Sequence, residues 1–155
     1  MMMLSFKKLL HEILSSVEHK VLLWENPNPN TSMGNMTKSM DLSSYKFIEV
    51  VFVTYATQGY INQTLRLDIP SSGTRYGIMT SFSGSGGFMS GYYVALARAV
   101  SVNTSGVTFG NGVYAVPNTG VGFTLDSAAV IPFRIYGIKR SDIWNLSSED
   151  SYDDE

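Results

Sequence analysis

A chain of 155 residues, 44% of them hydrophobic, is long enough for one domain with a sizeable core and a small appendage. Charged residues make up only 15% of the chain and the net charge is −2, which argues against nucleic-acid binding because that function needs a basic patch. The absence of cysteine excludes disulfides, thiolate metal sites and cysteine nucleophiles, and the apolar runs are too short to cross a membrane.

The first predicted element is an amphipathic helix over residues 5–19, with Ser5 as its N-cap. We do not expect a signal peptide, because no small-residue cleavage site follows. Two heptads are too few to be stable alone in water, so the helix must pack on its own sheet, on sister helices or in a larger assembly. We predict that residues 1–19 anchor or oligomerise the protein. The residues of the heptad seam are Phe6, Leu10, Ile13 and Val17.

Two short strands are predicted next. Residues 20–25 form the first, and the asparagines and prolines of residues 26–30 end it, because proline lacks a backbone donor and asparagine bonds nearby backbone. Residues 31–38 continue as an exposed loop. The second short strand is expected at residues 40–42, followed by a turn over residues 43–46.

Residues 47–56 form a run of β-branched and aromatic side chains with a single charge, which predicts a central strand. Alternation places largely apolar residues on both of its faces, so neither face favours contact with water. We therefore expect a second sheet to cover one face and another layer, such as another subunit, to cover the other.

Residues 64–69 alternate between polar and apolar side chains, which predicts a half-buried strand, and another strand is predicted at residues 76–82. The strand predicted at residues 92–102 has one face of large apolar residues that Arg98 interrupts. Its opposite face carries mostly alanine, and two interpretations are open: a tight contact with another layer, such as a subunit, or a thinly covered exposed face. The large apolar residues of the first face are Val94, Leu96, Val100 and Val102.

The last predicted elements complete a β domain. An Asn-Gly hairpin is expected at residues 110–112, because this dipeptide tolerates the positive φ angles of a primed turn, and strands follow at residues 121–125 and 129–138. Frequent turns between short strands predict a mainly β fold, an antiparallel β-sandwich with jelly-roll-like connections, over residues 20–140. Residues 141–155 form an acidic tail.

The sequence offers little for catalysis. Its two histidines, His11 and His19, lie about 12 Å apart along the predicted helix, too far for one metal ion. The carboxylates show no spacing that suggests a glycosidase pair. The glycine-rich loop at residues 83–91 lacks the Gly-Lys-Ser/Thr of a phosphate-binding loop. We therefore predict no enzymatic activity, no metal and no cofactor.

Several tyrosines fall at predicted strand ends and turns. A tyrosine offers a flat apolar ring to a sugar and a hydroxyl to its polar rim. The alternative is that these rings cover the sheet edges. The candidate carbohydrate contacts are Tyr60, Tyr76 and Tyr92.

Four stretches combine a strand start, a turn into the central strand, a hairpin and a final strand. They are LWENPNP at 23–29, MDLSSYKFIEV at 40–50, GVTFGNG at 106–112 and IPFRIYGIK at 131–139. This combination resembles the small C-terminal β domains of tail-fibre, receptor-binding and head-fibre structural proteins of phages that infect Gram-positive bacteria. The resemblance covers roughly residues 21–140. It implies a virion component, commonly trimeric, that displays a β knob.

The resemblance also sets the expected role and partners. Such domains often end a long chain, whereas this chain has its own predicted helix and acidic tail, which favours a head fibre, decoration protein or tail-tip component. The expected partners are the protein itself as a homotrimer, virion proteins of the capsid, collar or tail, and, for host attachment, a surface glycan. Neither nucleic acid nor membrane is expected. The alternatives are a receptor-binding module for host cell-wall carbohydrate and a depolymerase of surface polysaccharide.

Overall fold

Within the residues that the structure describes, the fold is two antiparallel β-sheets. The computed structural model describes residues 18–56, 59–84, 93–115, 124–125 and 128–140. The strands are β1 (Glu18–Glu25), β2 (Met36–Ser39), β3 (Phe47–Ala56), β4 (Gly59–Asp68), β5 (Arg75–Gly84), β6 (Tyr93–Asn103), β7 (Gly106–Ala115), β8 (Thr124–Leu125) and β9 (Ile131–Arg140). Sheet I has the order β1–β9–β3–β4, and sheet II has the order β2–β7–β6–β5, with β8 also paired to β7.

The two sheets pack against each other around one apolar core. Phe52 of sheet I meets Phe109 of sheet II edge to face, with 6.1 Å between the ring centroids, and Trp24 lies 6.4 Å from Phe109. Each fully buried large apolar side chain contributes about 1.5–3 kcal/mol to folding. The prediction of a mainly β fold built from antiparallel sheets is confirmed. Other core members are Leu42, Ile48, Val50, Leu67, Met79, Leu96, Val100, Val102, Val107 and Ile135.

The central strand has its predicted bounds. β3 pairs with β4 on one side and β9 on the other, so both of its edges are hydrogen-bonded. Its inward residues Ile48, Val50 and Phe52 are fully buried beneath sheet II, as expected. On its outward face Val53 is buried and Phe47 is half-buried.

The second short strand was predicted at the wrong place. β2 lies at Met36–Ser39 and pairs with β7, whereas residues 40–42 connect the two sheets. Leu42 donates its backbone N–H to the carbonyl of Thr104 at 2.9 Å, and its side chain is fully buried. Leu42 thus anchors the connection in the core although it belongs to no strand of either sheet. Of the strand predicted at residues 121–125, the structure describes β8 alone.

The predicted hairpin at residues 110–112 is also wrong. β7 continues through this stretch, and its register against β6 shifts so that Gly110 and Asn111 lie opposite the single residue Ala99. The Asn111 side chain accepts the backbone N–H of Asn35 at 2.8 Å. The Asn-Gly dipeptide therefore lies at a β-bulge, and neither Asn111 nor Gly112 takes the positive φ that a primed turn would need.

Most of the predicted helix lies outside the described residues, as does the acidic tail at 141–155. The end of that helix was predicted wrongly, because residues 18–19 belong to β1 and pair with Lys139 and Arg140. The edge of β9 opposite β3 supplies these residues with backbone hydrogen-bond partners. The helix over residues 5–17 stays a prediction.

Arg98 is buried in the centre of sheet II with an exposed fraction of 0%. A buried charge is costly unless hydrogen bonds satisfy it. The Arg98 guanidinium donates to backbone carbonyls of three segments that are distant in sequence, and so ties them together. The acceptors, at 2.8–3.2 Å, are Met33, Gly34, Gly110, Ala129 and Val130.

The turn before β9 depends on this arginine. Val130 is fully buried and has a φ of 49°, a conformation that β-branched residues rarely adopt. Its carbonyl accepts the Nε–H of Arg98 at 2.8 Å. The hydrogen bond holds the carbonyl in place and stabilises an otherwise unfavourable backbone geometry.

Candidate interaction surface

The outer surface of sheet II is an apolar face, which we call the alanine face. β6 supplies its floor, and the outward residues of β5 stand along one side of that floor. On the other side β7 and β8 add further apolar side chains. The face comprises Ala95, Ala97 and Ala99, flanked by Tyr76, Ile78 and Phe82 and by Val113, Ala115 and Leu125.

The large side chains of the alanine face are strongly exposed. The exposed fraction is 75% for Tyr76, 63% for Ile78, 67% for Phe82 and 70% for Leu125. These four side chains together expose on the order of 500 Å² of mostly apolar area. That area is near the upper limit for the largest apolar patch of a soluble monomer. None of the described residues that point outward from this sheet is charged.

The outward direction of the β5 side chains follows from its neighbour in sheet I. Gly77 faces the core, and a Cβ at this position would lie 2.7 Å from Cδ2 of Leu67 and 3.3 Å from Cδ2 of Leu65. The leucines of β4 already fill the space beneath β5, so only small or flexible inward side chains fit there. Alternation then turns Tyr76 and Ile78 outward.

The outer surface of sheet I is very different, and we call it the charged face. Lys20 on β1 forms an ion pair with Glu49 on β3, across β9. Arg66 on β4 reaches Glu18 on β1, with Nη1 2.9 Å from Oε2. The third pair joins Arg134 on β9 to Glu25 on β1 at 3.0 Å.

The cations of the charged face lie over aromatic rings. The Lys20 Nζ is 4.4 Å from the ring centroid of Tyr136, and the Arg66 Cζ is 4.2 Å from that of Phe47. Long side chains can cover apolar surface with their stems while their charges stay in water. The second layer that we expected over β3 is therefore supplied in part by the same chain.

Hydrogen bonding raises the pKa of two of these arginines. Glu18 raises the pKa of Arg66, chiefly through the side-chain hydrogen bond, and Glu25 raises the pKa of Arg134 in the same way. Both guanidinium groups are thus charged wherever the protein is folded. The charged face is a solvated surface on which Lys20, Arg66 and Arg134 each have a glutamate partner.

The structure places only one of the predicted site residues on a described surface. Tyr76 projects from the alanine face. Tyr60 lies in β4, opposite Tyr55 of β3, and nothing further is described of its side chain. Tyr92 and the four seam residues of the predicted helix lie outside the described residues. These five positions stay predictions.

The sequence analysis did not identify the residues that lie beside Tyr76 on the alanine face. Ile78 and Phe82 alternate with Tyr76, and that signal was present in the predicted strand at residues 76–82. Periodicity alone would have turned such large side chains inward. These side chains point outward because the leucines of β4 already fill the space beneath Gly77.

Two other kinds of feature, a metal site and a membrane-spanning helix, are not found in the described part of the chain. None of its acidic and histidine side chains gather in a group of three that could hold a metal ion. It also contains no helix of the length and apolarity that crossing a membrane requires. No protein-family model and no curated protein sequence matches the chain. The exposed apolar side chains of the alanine face are the described feature that differs most from an ordinary solvated surface.

Proposed function

We propose that this protein is a non-enzymatic structural component of a phage virion, a homotrimer that displays a β knob. The role would be that of a head fibre, a decoration protein or a tail-tip or tail-fibre component, in contact with capsid, collar or tail proteins. The four stretches that resemble phage fibre domains fall on paired strands and their entry turns. The pairing of β1 with β9 and of β2 with β7 supports a jelly-roll-like sandwich.

The alanine face carries this proposal. A stable interface buries about 800 Å² on each partner, and the four largest side chains here already expose roughly half or more of that area. A surface without charge is poorly suited to water, to nucleic acid or to an anionic membrane. It is well suited to a second copy of itself, because neither copy brings a charge that must lose its water.

The shape of the face allows a ring of copies. Tyr76, Ile78 and Phe82 form a raised row, and the alanines beside them form a low floor. The row of one copy can pack on the floor of the next, which is a heterologous contact that closes into a ring at a suitable angle. Three copies are proposed here, and a two-fold pair is the alternative that a mass measurement would reveal.

Light scattering on the purified chain tests the assembly. We expect the mass of a trimer for the wild type and of a monomer for Ala99→Arg, because the added guanidinium would be buried without a partner at the centre of the contact. The matched control is Thr64→Arg on the charged face, at another exposed outward strand position. This control should remain trimeric. A monomeric wild type, or equal masses for both variants, would contradict the proposal.

The place of the protein in a particle needs a separate test. Gold-labelled antibodies against the purified chain should decorate phage particles at the head or the tail. Absence of label from intact particles, with label on host cells alone, would contradict a virion role even if the chain is trimeric.

The predicted N-terminal helix is part of the proposal as an anchor or trimerisation element. Leu10→Ser combined with Ile13→Ser should abolish particle attachment or reduce the trimer, and the β knob should stay folded by circular dichroism. Unchanged mass and unchanged attachment would exclude this role. The helix variants and Ala99→Arg change different residues, so each set is compared with the wild type on its own.

A receptor-binding module for host cell-wall carbohydrate is the second candidate, favoured by the exposed ring of Tyr76. At 75% exposure the ring is free to stack on a sugar. A glycan array should then show binding that Tyr76→Ala removes and Tyr76→Phe weakens less. Absence of binding to any host surface would favour the purely structural role.

A further inference from the structure

An open cleft lies at the end of the molecule where β3 begins and β9 ends. Its volume is about 620 Å³, which is within the usual range for ligand sites. None of its described lining residues is acidic. Its polar lining includes four short hydroxyl side chains and two lysines: Ser43, Ser44, Ser71, Thr104, Lys46 and Lys139.

Backbone hydrogen bonds hold the walls of the cleft. Tyr45 donates its N–H to Leu42, Lys46 donates to Ile138, and Ile69 donates to Lys46, each at 3.0 Å. These bonds join the loop before β3 to β9 and to the loop after β4. The cleft is thus preformed, and a ligand would not need to order its walls.

Its two lysines have no acidic partner among the described residues. The Nζ of Lys139 lies 4.9 Å from the Tyr45 ring centroid, and that of Lys46 lies 5.9 Å from the Phe47 centroid. Such contacts leave the ammonium hydrogens available as donors. The carboxylate of Asp41, close in sequence, instead accepts the N–H of Ser43 at 2.9 Å and shapes the turn. The cleft therefore presents positive charge together with hydroxyl groups.

The same chain contains an acidic segment that is able to reach this cleft. Residues 149–155 carry five carboxylates and no basic residue. β9 ends at Arg140, directly after Lys139, and the nine residues from there to 149 span up to about 30 Å when extended. We propose that the acidic segment 149–155 binds in this cleft of its own chain, with its carboxylates accepting hydrogen bonds from Lys46 and Lys139 and from the hydroxyl groups.

Amide NMR spectra of the full chain test this contact. The test variant neutralises the segment through Glu149→Gln, Asp150→Asn, Asp153→Asn, Asp154→Asn and Glu155→Gln. We expect the amides of Ser44, Lys46, Ser71 and Thr104 to shift relative to the wild type. The difference should vanish as salt rises from about 0.01 M to about 1 M, because the Debye length falls from about 30 Å to about 3 Å.

Lysine variants supply the matched controls. Lys46→Gln with Lys139→Gln should reproduce the shift of the hydroxyl-bearing residues, and neutralising the acidic segment should then add nothing. Lys38→Gln removes a lysine that lies over Trp24 outside the cleft, and it should leave the wild-type spectrum at these amides.

Two results would overturn the proposal. One is a set of cleft amides that does not respond when the acidic segment is neutralised. The other is a response that depends on protein concentration, which would assign the cleft to the acidic segment of a neighbouring copy. Neither result bears on the trimer or on the virion role, which depend on the alanine face.

Discussion

The outer surfaces of the two sheets differ in how their apolar side chains are covered. On the charged face, apolar residues such as Phe47 and Tyr136 lie beneath cations, and each of those cations is paired with a glutamate. On the alanine face, Ile78 and Phe82 stand in the open with no described charge beside them. The two faces belong to different sheets, which pack on one shared core.

This difference separates a surface adapted to water from one that leaves large apolar side chains exposed, as the proposed interface would require. Covering apolar surface with the stems of lysine and arginine costs little, since their charges stay solvated. The chain uses that device on one sheet and not on the other. The contrast therefore supports the proposal that another copy of the chain covers the alanine face. Each of the variants below changes that contrast by a different amount.

Arg98 has the largest expected effect, because it fixes which side of β6 faces outward. Arg98→Met should lower the free energy of unfolding by about 3 kcal/mol or more, since it leaves five carbonyls without this donor, including those of the buried residues Ala129 and Val130. Urea denaturation at one protein concentration measures the loss. Arg75→Met, at an exposed arginine of β5, is the control and should change stability by less than about 0.5 kcal/mol. Equal losses for both variants would show that the carbonyl network is not what places the alanines outside.

The next effect concerns association through one face and not the other. Ile78→Lys on the alanine face should raise the dissociation constant of the assembly about thirtyfold, the size of a hot-spot loss of about 2 kcal/mol. Leu22→Lys on the charged face changes a side chain of similar size and exposure, 48% against 63%, and should have no such effect. Sedimentation equilibrium measures both constants. Weakening by Leu22→Lys alone would reverse the assignment of the two faces.

A smaller effect is expected where β5 crosses the leucines of β4. Gly77→Ala places a methyl group 2.7 Å from Leu67, and overpacking of this kind should cost about 1–2 kcal/mol of unfolding free energy. Gly34→Ala, whose new methyl would meet only the Asn111 side chain at 3.7 Å, serves as the control and should be nearly neutral. A neutral Gly77→Ala would mean that crowding beneath β5 does not decide the direction of Tyr76 and Ile78.

The sequence was sufficient to predict the bounds of the central strand, but it did not show which side chains of β5 face the core. β3 has its predicted bounds because eight of its ten residues are β-branched or aromatic, and such residues favour the extended conformation. In β5 the larger residues alternate with Gly77 and Ser81, and periodicity favours burial of the larger set. The opposite arrangement results from contacts with a strand of the other sheet, which no local pattern contains.

Arg98 could not have been assigned a buried role from the chain alone. A charged residue in an apolar row is normally an interruption or a surface position. It is buried here because carbonyls near residues 33–34 and 129–130, distant in sequence, converge on it. The alanine row could be recognised as a place of close approach, but whether it was covered depended on the neighbouring strand.

The smallest effect is expected from the ion pairs of the charged face. Glu18 and Arg66 are both partly exposed, so solvent screens their attraction, and a double-mutant cycle of Glu18→Gln and Arg66→Gln should give a coupling of about 0.2–1 kcal/mol. The coupling should shrink in 1 M salt, whereas association through the uncharged alanine face should not weaken. Urea denaturation measures the coupling at each ionic strength. A coupling well above 1 kcal/mol that resists salt would show that the charged face is shielded from water in the assembly, and would place an interface on sheet I as well.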